Sequence, residues 1–342
     1  MNFAATMADV AERLPIPDSL TRKGIAGLVG RTDRKLADAS DTTECEFALE
    51  MARLPVALHP DAANAQHYEV PAAFFGLVLG PRRKYSSCFY DSAQSTLADA
   101  EIAALERTCA NAGLANGQRI LELGCGWGSL SLWMAEHYPA ARITAVSNSA
   151  SQRAYIEAQA AARGFDNLTI ITADMNDFET DARFDRVVSV EMFEHMSNWR
   201  ELLGRIRHWL APEGRLFLHV FSHRRGTYRF DHHDRSDWIA QHFFTGGIMP
   251  SHGLITQFPD LFTLEADWRW SGAHYARTAR DWLDNYDRHE GAIDDILQSV
   301  YRADAGLWKR RWRLFFLATE GLFGYRGGDA WGVSHYRLRP AG

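Results

Sequence analysis

Strand-like and helix-like segments alternate through the middle of the chain, from Arg119 to Phe221. Two parallel strands can be joined only by a crossover of about helical length, whereas antiparallel strands can be joined by a short turn. The alternation therefore predicts an α/β fold built on a parallel sheet. The predicted strands are residues 119–123, 142–147, 168–173, 184–190 and 214–221, and the predicted helices between them are residues 128–138, 150–163 and 194–210. Two further strand-like stretches, FTLEADWRW and WGVSHYRL, flank a helical region at about 275–322.

The first predicted strand runs into a glycine-rich bend within ILELGCGWGSL, where Gly124, Gly126 and Gly128 stand at alternate positions. Ligands of open parallel sheets bind beyond the carboxyl ends of the strands, and glycine lets a ligand approach the backbone closely. A dinucleotide-binding bend would read GxGxxG, with an acidic residue about twenty positions later. Here the spacing is GxGxG, and the acidic residue, Glu122, precedes the glycines. The bend favours a nucleoside with an amino-acid tail over a pyrophosphate.

The next two predicted strands also end in side chains that suit a nucleoside. Hydroxyl and amide groups follow the second strand and match ribose or carboxylate oxygens. An acid, a thioether and an amide follow the third strand, where they would flank an adenine. The residues are Ser147, Asn148, Ser149 and Gln152 after the second strand, and Asp174, Met175 and Asn176 after the third. Three successive strand ends of this kind point to S-adenosylmethionine (SAM).

Five motifs resemble one group of SAM-dependent methyltransferases, the cyclopropane fatty acid synthase superfamily. They are ELGCGWGSL, VSNSASQ, FEHM, FFTGGIMPS and HYARTARDW. Within that superfamily the chain most resembles the coclaurine- and pavine-type N-methyltransferases, over about residues 15–336. The resemblance implies a Rossmann-like class I methyltransferase fold, a parallel sheet with one antiparallel strand, with SAM as cofactor and S-adenosylhomocysteine as product. The residues expected to hold SAM are Tyr85, Ser86, Gly124, Gly126, Ser147, Asn148, Gln152, Asp174, Met175 and Asn176.

The same reading divides the chain into three parts. Residues 1–66 are predicted to form a helical N-terminal segment, and residues 67–115 a segment that covers the cofactor. The methyltransferase core is expected at 116–342, with lid insertions at about 222–261 and 273–330.

The fourth predicted strand ends in VVSVEMFEHM, which contains two carboxylates and an imidazole. If the chain turns into a helix there, Glu191, Glu194 and His195 share one face. An ammonium has no lone pair, so it must lose a proton before its nitrogen attacks a methyl group, and such a cluster suits general-base work. Acids also occur at ordinary helix N-termini because the helix dipole favours them. The resembled N-methyltransferases use the Glu–His pair of this motif for amine binding and deprotonation, which favours Glu194 and His195 as the base, with Glu191 contributing charge.

A second hypothesis is the modification of unsaturated acyl chains. Cyclopropane synthases hold a bicarbonate with a Cys, a Glu, a His and a Tyr, which the motifs place on Ser87, Glu194, His219 and Tyr275. Ser87 replaces the cysteine, with Cys88 one position later, and Glu191 stands where the acyl synthases typically have glycine. S-methylation of a small thiol and a non-catalytic SAM-binding sensor are further alternatives.

The acceptor pocket is expected to contain polar and aromatic side chains from several segments. Aromatic rings can wall a flat apolar substrate or present their π faces to a cation. The predicted pocket residues are Ser87, His219, Phe244, Tyr275 and Trp331. WKRRWRLFF, residues 308–316, is typical of a core-facing helix with a solvated arginine face, although an interfacial helix has a similar pattern.

Charge and composition restrict the partners. A net charge of −6 argues against nucleic acid, which requires a basic face. No uncharged apolar stretch approaches ~18 residues, so no stable membrane insertion is expected. Residues 1–20 carry no basic start before an apolar core, so no signal peptide is predicted, and a bacterial cytoplasmic protein is expected. The partner is expected to be a small-molecule methyl acceptor, and a homodimer is a further expectation.

The cysteines and histidines do not predict a metal site. The four cysteines are scattered without CxxC spacing, which argues against a disulfide framework or structural zinc. HRRGTYRFDHHD, residues 223–234, is rich in His and Asp, but adjacent histidines cannot both point inward from a regular element. A solvated loop is therefore predicted there, and no metal is expected.

Overall fold

A seven-stranded sheet forms the centre of the computed structural model, which describes residues 10, 12–14, 16–58, 70–234 and 237–342. The strand order is β3-β2-β1-β4-β5-β9-β8, and β6 and β7 form a separate small sheet. The strands are β1 (Arg119–Leu123), β2 (Arg142–Ser147), β3 (Leu168–Thr172), β4 (Phe184–Val190), β5 (Leu210–His223), β6 (Tyr228–Arg229), β7 (Ile248–Met249), β8 (Phe262–Ser271) and β9 (Trp331–Pro340).

Strands β1 to β5 pair in parallel, whereas β9 runs antiparallel to both of its neighbours, β5 and β8. Within the described part of the sheet, β9 is thus the one antiparallel strand. This arrangement confirms the predicted fold class. It also brings the carboxyl ends of the first four strands to one edge of the sheet, where ligands bind in open α/β folds.

Helices pack on both faces of the sheet. The central strands are therefore largely apolar. Leu105 of α4 and Trp133 of α5 pack on one face with Ile120. Leu202 of α7 packs on the other face with Leu121. The α-helices are α1 (Asp18–Lys35), α2 (Asp41–Met51), α3 (Ala72–Val78), α4 (Leu97–Ala112), α5 (Ser129–His137), α6 (Ala150–Arg163), α7 (Trp199–Trp209), α8 (Trp238–His242), α9 (Gly272–Arg288), α10 (Glu290–Tyr301) and α11 (Ala305–Phe323). Strand β1 is buried from Ile120 to Leu123, as a central parallel strand covered on both faces should be, and Glu122 is the one acid within it.

The chain after β4 differs from the predicted helix at 194–210. Only a single 3₁₀ turn, Phe193–His195, follows the strand, and α7 begins at Trp199. The Asn198 side chain accepts from the Glu201 N–H at 3.0 Å, and this capping bond sets the start of α7. The strand predicted at 214–221 is also longer, because β5 begins at Leu210 and ends at His223.

The described N-terminal helix α1 packs against α11 near the other end of the chain. Gly321 makes the crossing close, since a Cβ there would lie 2.5 Å from Ile25 Cγ2. Arg313 on α11 binds Asp18 at 2.6 Å. The predicted segments 1–66 and 67–115 include residues 1–9, 11, 15 and 59–69, which lie outside the described residues. The predicted domain boundaries stay a prediction.

The pattern at residues 308–316 belongs to α11, where Trp312 and Phe316 are buried and the other residues of the stretch are partly buried. Trp312 and Phe316 lie in the same apolar cluster as Phe243. The Phe243 ring stacks on Phe315 with centroids 4.6 Å apart. The arginine side is paired, since Arg311 binds Glu12 at 3.0 Å. The core-facing interpretation therefore describes this helix. Within the described chain, no helix is long and apolar enough to cross a bilayer.

Candidate active site

A cavity of about 1430 Å³ opens at the carboxyl ends of β1, β2 and β4. Leu28 of α1 and Leu322 of α11 line it on the side away from the sheet. Pockets for one small molecule typically measure about 300–1,000 Å³, so this cavity has room for a cofactor and an acceptor together. The sheet edge supplies polar groups, and the helices supply an apolar wall.

The predicted cofactor residues meet at the sheet edge of this cavity, with one exception. The residues that line the cavity are Tyr85, Ser86, Gly124, Gly126, Ser147, Asn148, Gln152, Asp174 and Met175. Ser147 donates from Oγ to Gln152 Oε1 at 2.7 Å, so the end of β2 and the first turn of α6 form one unit. Trp127 and Ser129, which sequence reasoning did not single out, also line this part.

Gly124 and Gly126 in the glycine-rich bend lack a side chain for two different structural reasons. Gly124 has a φ of +79°, and a Cβ there would lie 2.5 Å from Met192 Cβ, so a side chain is excluded by packing. Gly126 has a φ of +51°, and no described atom lies within 4 Å of the position of a Cβ. The space beside Gly126 is part of the cavity, where a ligand can approach the peptide.

Buried polar atoms at this edge fit a ligand rich in oxygen acceptors. Gln152 Nε2, Ser129 Oγ and Trp127 Nε1 are buried without a hydrogen-bond partner among the described residues. A buried donor without an acceptor costs about 1–3 kcal/mol, so such groups are normally paired in the working state. The ribose hydroxyls and the carboxylate of SAM supply acceptors of this kind. The residues present therefore fit SAM.

Asn176 is the exception among the predicted cofactor residues. Its side chain accepts from the Ala57 N–H at 3.0 Å and donates to the Ala57 carbonyl at 3.1 Å. Its own N–H donates to Asp174 Oδ1 at 2.8 Å. The carboxamide thus ties the N-terminal segment to the end of β3, and Ala57 lines the cavity in its place. Direct binding of SAM by Asn176 stays a prediction.

The acid before the glycines, Glu122, lies inside the sheet and lines the cavity. It is 2% exposed and accepts from Ser131 Oγ at 2.5 Å. Burial raises the pKa of Glu122 to about 7, and the hydrogen bond from Ser131 opposes this shift only in part. The carboxyl therefore keeps its proton to a higher pH than an exposed glutamate does.

Glu191 is the best-connected acid of the site. The residue follows β4 with a φ of +50°, which turns its side chain into the cavity. Oε1 accepts from the Ser87 N–H at 2.9 Å and contacts His219 Nε2 at 3.1 Å. Oε2 accepts from the Tyr275 hydroxyl at 2.7 Å. Burial raises the pKa of Glu191 above its usual range, and the Lys84 charge and the donors at Ser87 and Tyr275 oppose this rise only in part.

Glu194 lies behind Glu191 and is fully buried. Its Oε1 accepts from the Phe221 N–H at 2.6 Å, and its Oε2 has no hydrogen-bond partner in the described chain. Burial and, second, the charge of Glu191 raise the pKa of Glu194 well above its usual range. The two acids do not share one face of a regular helix, because only a 3₁₀ turn follows β4.

His195 lines the cavity, and its ring centroid lies 4.3 Å from that of Phe244. Phe244 lines the cavity as well and packs against Phe221 and Phe230. The imidazole therefore lies against an aromatic wall of the cavity. The role of the Glu194–His195 pair as the base stays a prediction.

Two of the five predicted pocket residues line the cavity, and three lie behind its surface. Phe244 and Tyr275 belong to the lining, whereas Ser87, His219 and Trp331 are absent from it among the described residues. Trp331 packs on His223 with ring centroids 4.7 Å apart, on the far side of β5. Ser87 and His219 act on the cavity through Glu191.

Three of the four residues predicted to hold a bicarbonate contact the Glu191 carboxylate. Ser87, His219 and Tyr275 all contact Glu191 directly. The fourth, Glu194, binds the Phe221 backbone. A side-chain carboxylate thus lies where three of the four proposed ligands converge.

Lys84 is a site residue that the sequence analysis missed. It is 3% exposed, lines the cavity, and donates from Nζ to Ser86 Oγ at 2.5 Å and to the Ser87 carbonyl at 2.7 Å. Burial lowers the pKa of Lys84, and the nearby Cys88, Glu191 and Glu101 raise it. Lys84 follows Arg82 and Arg83 in the sequence PRRKYSS, so its local sequence is typical of an exposed basic turn and does not indicate burial.

The described residues contain no group of three or more His, Cys, Asp or Glu that could hold a metal ion. The rings of His232 and His233, in the segment considered above for a metal, contact each other at a tilt, with centroids 3.9 Å apart.

Sequence comparison shows which family the chain belongs to. Residues 58–328 match the family described as Mycolic acid cyclopropane synthetase. The chain belongs to this family.

The chain is similar to several proteins of known name. The chain is 34% identical over 290 residues to (S)-coclaurine N-methyltransferase from Thalictrum flavum subsp. glaucum, covering 83% of this chain and 80% of that protein. It is 30% identical to Pavine N-methyltransferase of the same plant, with 84% and 82% covered. Cyclopropane-fatty-acyl-phospholipid synthase from Escherichia coli K12 is 31% identical, with 78% and 66% covered. The plant relatives give no support to the predicted bacterial origin.

Solved structures agree with this assignment. Coclaurine N-methyltransferase bound to N-methylheliamine and SAH superposes with a TM-score of 0.94 at 29% identity, covering 98% of this chain and 99% of that one. The cyclopropane synthase MmaA2 from Mycobacterium tuberculosis has the same fold, with a TM-score of 0.67, 22% identity, and 82% and 98% covered. This member of the family is a SAM-dependent methyltransferase, which confirms the predicted enzyme class and cofactor.

Proposed function

We propose that this enzyme transfers the methyl group of SAM to the nitrogen of a small, largely apolar amine. The observation that carries the proposal is the Glu191 carboxylate, which is buried at the inner end of a cavity with aromatic walls. An ammonium that enters the cavity would favour the ionised form of this buried carboxylate and would in turn be stabilised by it. The relatives named as coclaurine and pavine N-methyltransferases support the same acceptor class.

Donors on three sides hold the carboxylate in place before any ligand arrives. The Ser87 N–H and the Tyr275 hydroxyl fix both oxygens, so little reorganisation is needed when a cation binds. Burial and the charge of Glu191 raise the pKa of Tyr275, so its phenol remains protonated and keeps donating. Glu191 would thus orient the acceptor nitrogen.

His195 is proposed as the group that takes the ammonium proton. Its ring lines the same cavity beside Phe244, and an imidazole nitrogen with a free lone pair can accept a proton. Glu194, whose pKa is raised by burial and by the charge of Glu191, would supply a second acidic group next to the first. SAM, when bound, supplies an electrophilic methyl group on a sulfonium.

The walls of the cavity would support the reaction in two ways. Trp282, Tyr275 and Phe323 line it and would exclude water from the acids and hold the acceptor. Holding two reactants together accounts for up to ~7–11 kcal/mol of barrier reduction in favourable systems. The cytoplasmic location, the bacterial origin and the homodimer stay predictions.

The test is transfer of labelled methyl from SAM across secondary and tertiary amines, small thiols and vesicles of unsaturated phospholipid. We expect label in apolar amines. Label in lipid alone would overturn the amine hypothesis in favour of acyl-chain modification, and label in thiol alone would favour S-methylation. No transfer to any class, with SAM bound, would favour the sensor.

A further inference from the structure

Glu191 is the inner end of a hydrogen-bonded chain that crosses the sheet. Its Oε1 contacts His219 Nε2 on β5 at 3.1 Å. His219 Nδ1 contacts His335 Nε2 on β9 at 2.9 Å. His335 Nδ1 contacts Asn111 Nδ2 on α4 at 3.0 Å. Both histidines are fully buried, whereas Asn111 on α4 is only half-buried.

The donors and acceptors of this chain have one consistent direction. The Asn111 amide nitrogen can only donate, so His335 Nδ1 must carry a lone pair. A neutral His335 then holds its proton on Nε2 and donates to His219 Nδ1. His219 in turn holds its proton on Nε2 and donates to Glu191. The distal amide thus fixes the tautomer that faces the catalytic carboxylate.

The surroundings keep both imidazoles neutral. Burial and the Lys84 charge lower the pKa of His219 well below its usual range. Burial, the neighbouring His219 and the Lys84 charge do the same for the pKa of His335. Trp270 of β8 packs on both rings, with centroids 5.3 Å from His219 and 4.3 Å from His335.

Charged and titratable groups from several elements surround this hydrogen-bonded series of side chains. Glu191 and, behind it, Glu194 follow β4, Lys84 precedes the Ser87 segment, and Tyr275 comes from α9. At the outer end, Arg337 of β9 donates to the Asn111 carbonyl at 3.3 Å and leaves the side-chain amide to His335.

We propose that Asn111 and His335 are positioning residues that hold His219 as the Nε2–H tautomer, so that Glu191 receives a third hydrogen bond and remains an acceptor for the ammonium. The bond geometry carries the inference, and only its catalytic consequence rests on the proposed function. Neither residue lines the cavity among the described residues. Their effect reaches the reaction through Glu191.

Asn111→Asp tests the direction of the chain. The aspartate oxygens accept and cannot donate, so His335 must place a proton on Nδ1. Nitrogen NMR of the full-length protein, labelled with ¹⁵N-histidine, reports which ring nitrogens carry protons. His219→Asn and His335→Asn variants assign the signals. Ala110→Asp is the matched control, because it adds the same charge at the neighbouring exposed position of α4.

In the wild type and in Ala110→Asp we expect a bare Nδ1 on His335 and a protonated Nε2 on His219. In Asn111→Asp we expect a protonated His335 Nδ1. The acid limb of kcat/KM for the amine should then move up by about one pH unit, the lower end for a charge change at a buried site. Ala110→Asp should leave the limb in place.

A protonated His335 Nδ1 in the wild type, or a bare one in Asn111→Asp, would overturn the inference. So would reversed tautomers with an unmoved acid limb, because the link to Glu191 would be absent. If the wild type methylates no amine, the proposed function is overturned by itself, and the nitrogen spectra alone decide the tautomers.

Discussion

The hydroxyl of Tyr275 donates to Glu191 Oε2 at 2.7 Å and so joins helix α9 to the end of strand β4. The Tyr275 ring also stacks on Phe323 of α11, with centroids 4.2 Å apart. The carboxylate at the centre of the site is therefore held by a side chain that the C-terminal helices fix in place. Rigid support of this kind keeps a functional group in its working geometry.

Replacing Glu191 with glutamine removes the charge but keeps the shape of the side chain. We expect kcat for amine methylation to fall by at least about 10²-fold, the scale of a positioned acid–base group. SAM affinity should be nearly unchanged, because none of the predicted cofactor residues follows β4. Steady-state kinetics and calorimetry measure the two effects. Glu46→Gln, an exposed acid on α2, is the control, and wild-type turnover in Glu191→Gln would remove the acid from the mechanism.

Glu191→Gly tests whether the carboxylate occupies an anion site. Glycine tolerates the φ of +50° at this position, so the backbone should be preserved. The donors at Ser87, His219 and Tyr275 would then face free space. We expect added bicarbonate or formate to raise the residual rate about tenfold, equivalent to about 1.4 kcal/mol. Glu191→Gln, which still fills the space, should not respond, and an equal response of both variants would contradict the assignment.

Gly126→Val should abolish SAM binding without unfolding the protein. The new side chain would fill the open space beside the bend, where a ligand is expected to approach the backbone. Gly164→Val is the matched control, since Gly164 also has a positive φ and open surroundings but lies at the end of α6 away from the cavity. Calorimetric titration with SAM and thermal melting separate the two effects. Equal SAM affinities for the two variants would show that the bend is not the cofactor site.

Glu122→Gln should change how stability depends on pH. The pKa of Glu122 is raised by burial from its usual 4.5 to about 7, so the folded state binds an extra proton between these values. This term favours folding fully below pH 4.5 and is lost as the pH rises towards 7, at about 1.4 kcal/mol per pH unit. As the pH rises from 4.5 to about 7, the free energy of unfolding of Glu122→Gln should therefore increase relative to that of the wild type, by up to roughly 3 kcal/mol.

Denaturant unfolding at several pH values without SAM measures this difference. The gain should level off above about pH 7. Glu106→Gln, an exposed acid on α4, should show no such trend. A difference between Glu122→Gln and wild type that does not vary with pH would mean that Glu122 ionises normally in the fold.

Much of the cofactor site followed from local sequence. The bend at Gly124 and Gly126, and the polar ends of β2 and β3, could be predicted because each lies within a few residues of an apolar strand. Parallel pairing then brings such ends together whatever the rest of the chain does. The side chain of Asn176 departed from this pattern because Ala57, 119 residues earlier in the chain, offers both a donor and an acceptor.

The sequence by itself determined the α/β alternation, the ligand-binding edge of the sheet and the presence of two acids and an imidazole beside it. Only the tertiary structure decided which acid faces the cavity. Glu191 and Glu194 are three positions apart, yet the donors that select Glu191 come from Ser87, His219 and Tyr275, at separations of 104, 28 and 84 residues. Hydrophobic periodicity is a local property of a chain, whereas the charge and orientation of a buried carboxylate depend on every group that packs around it.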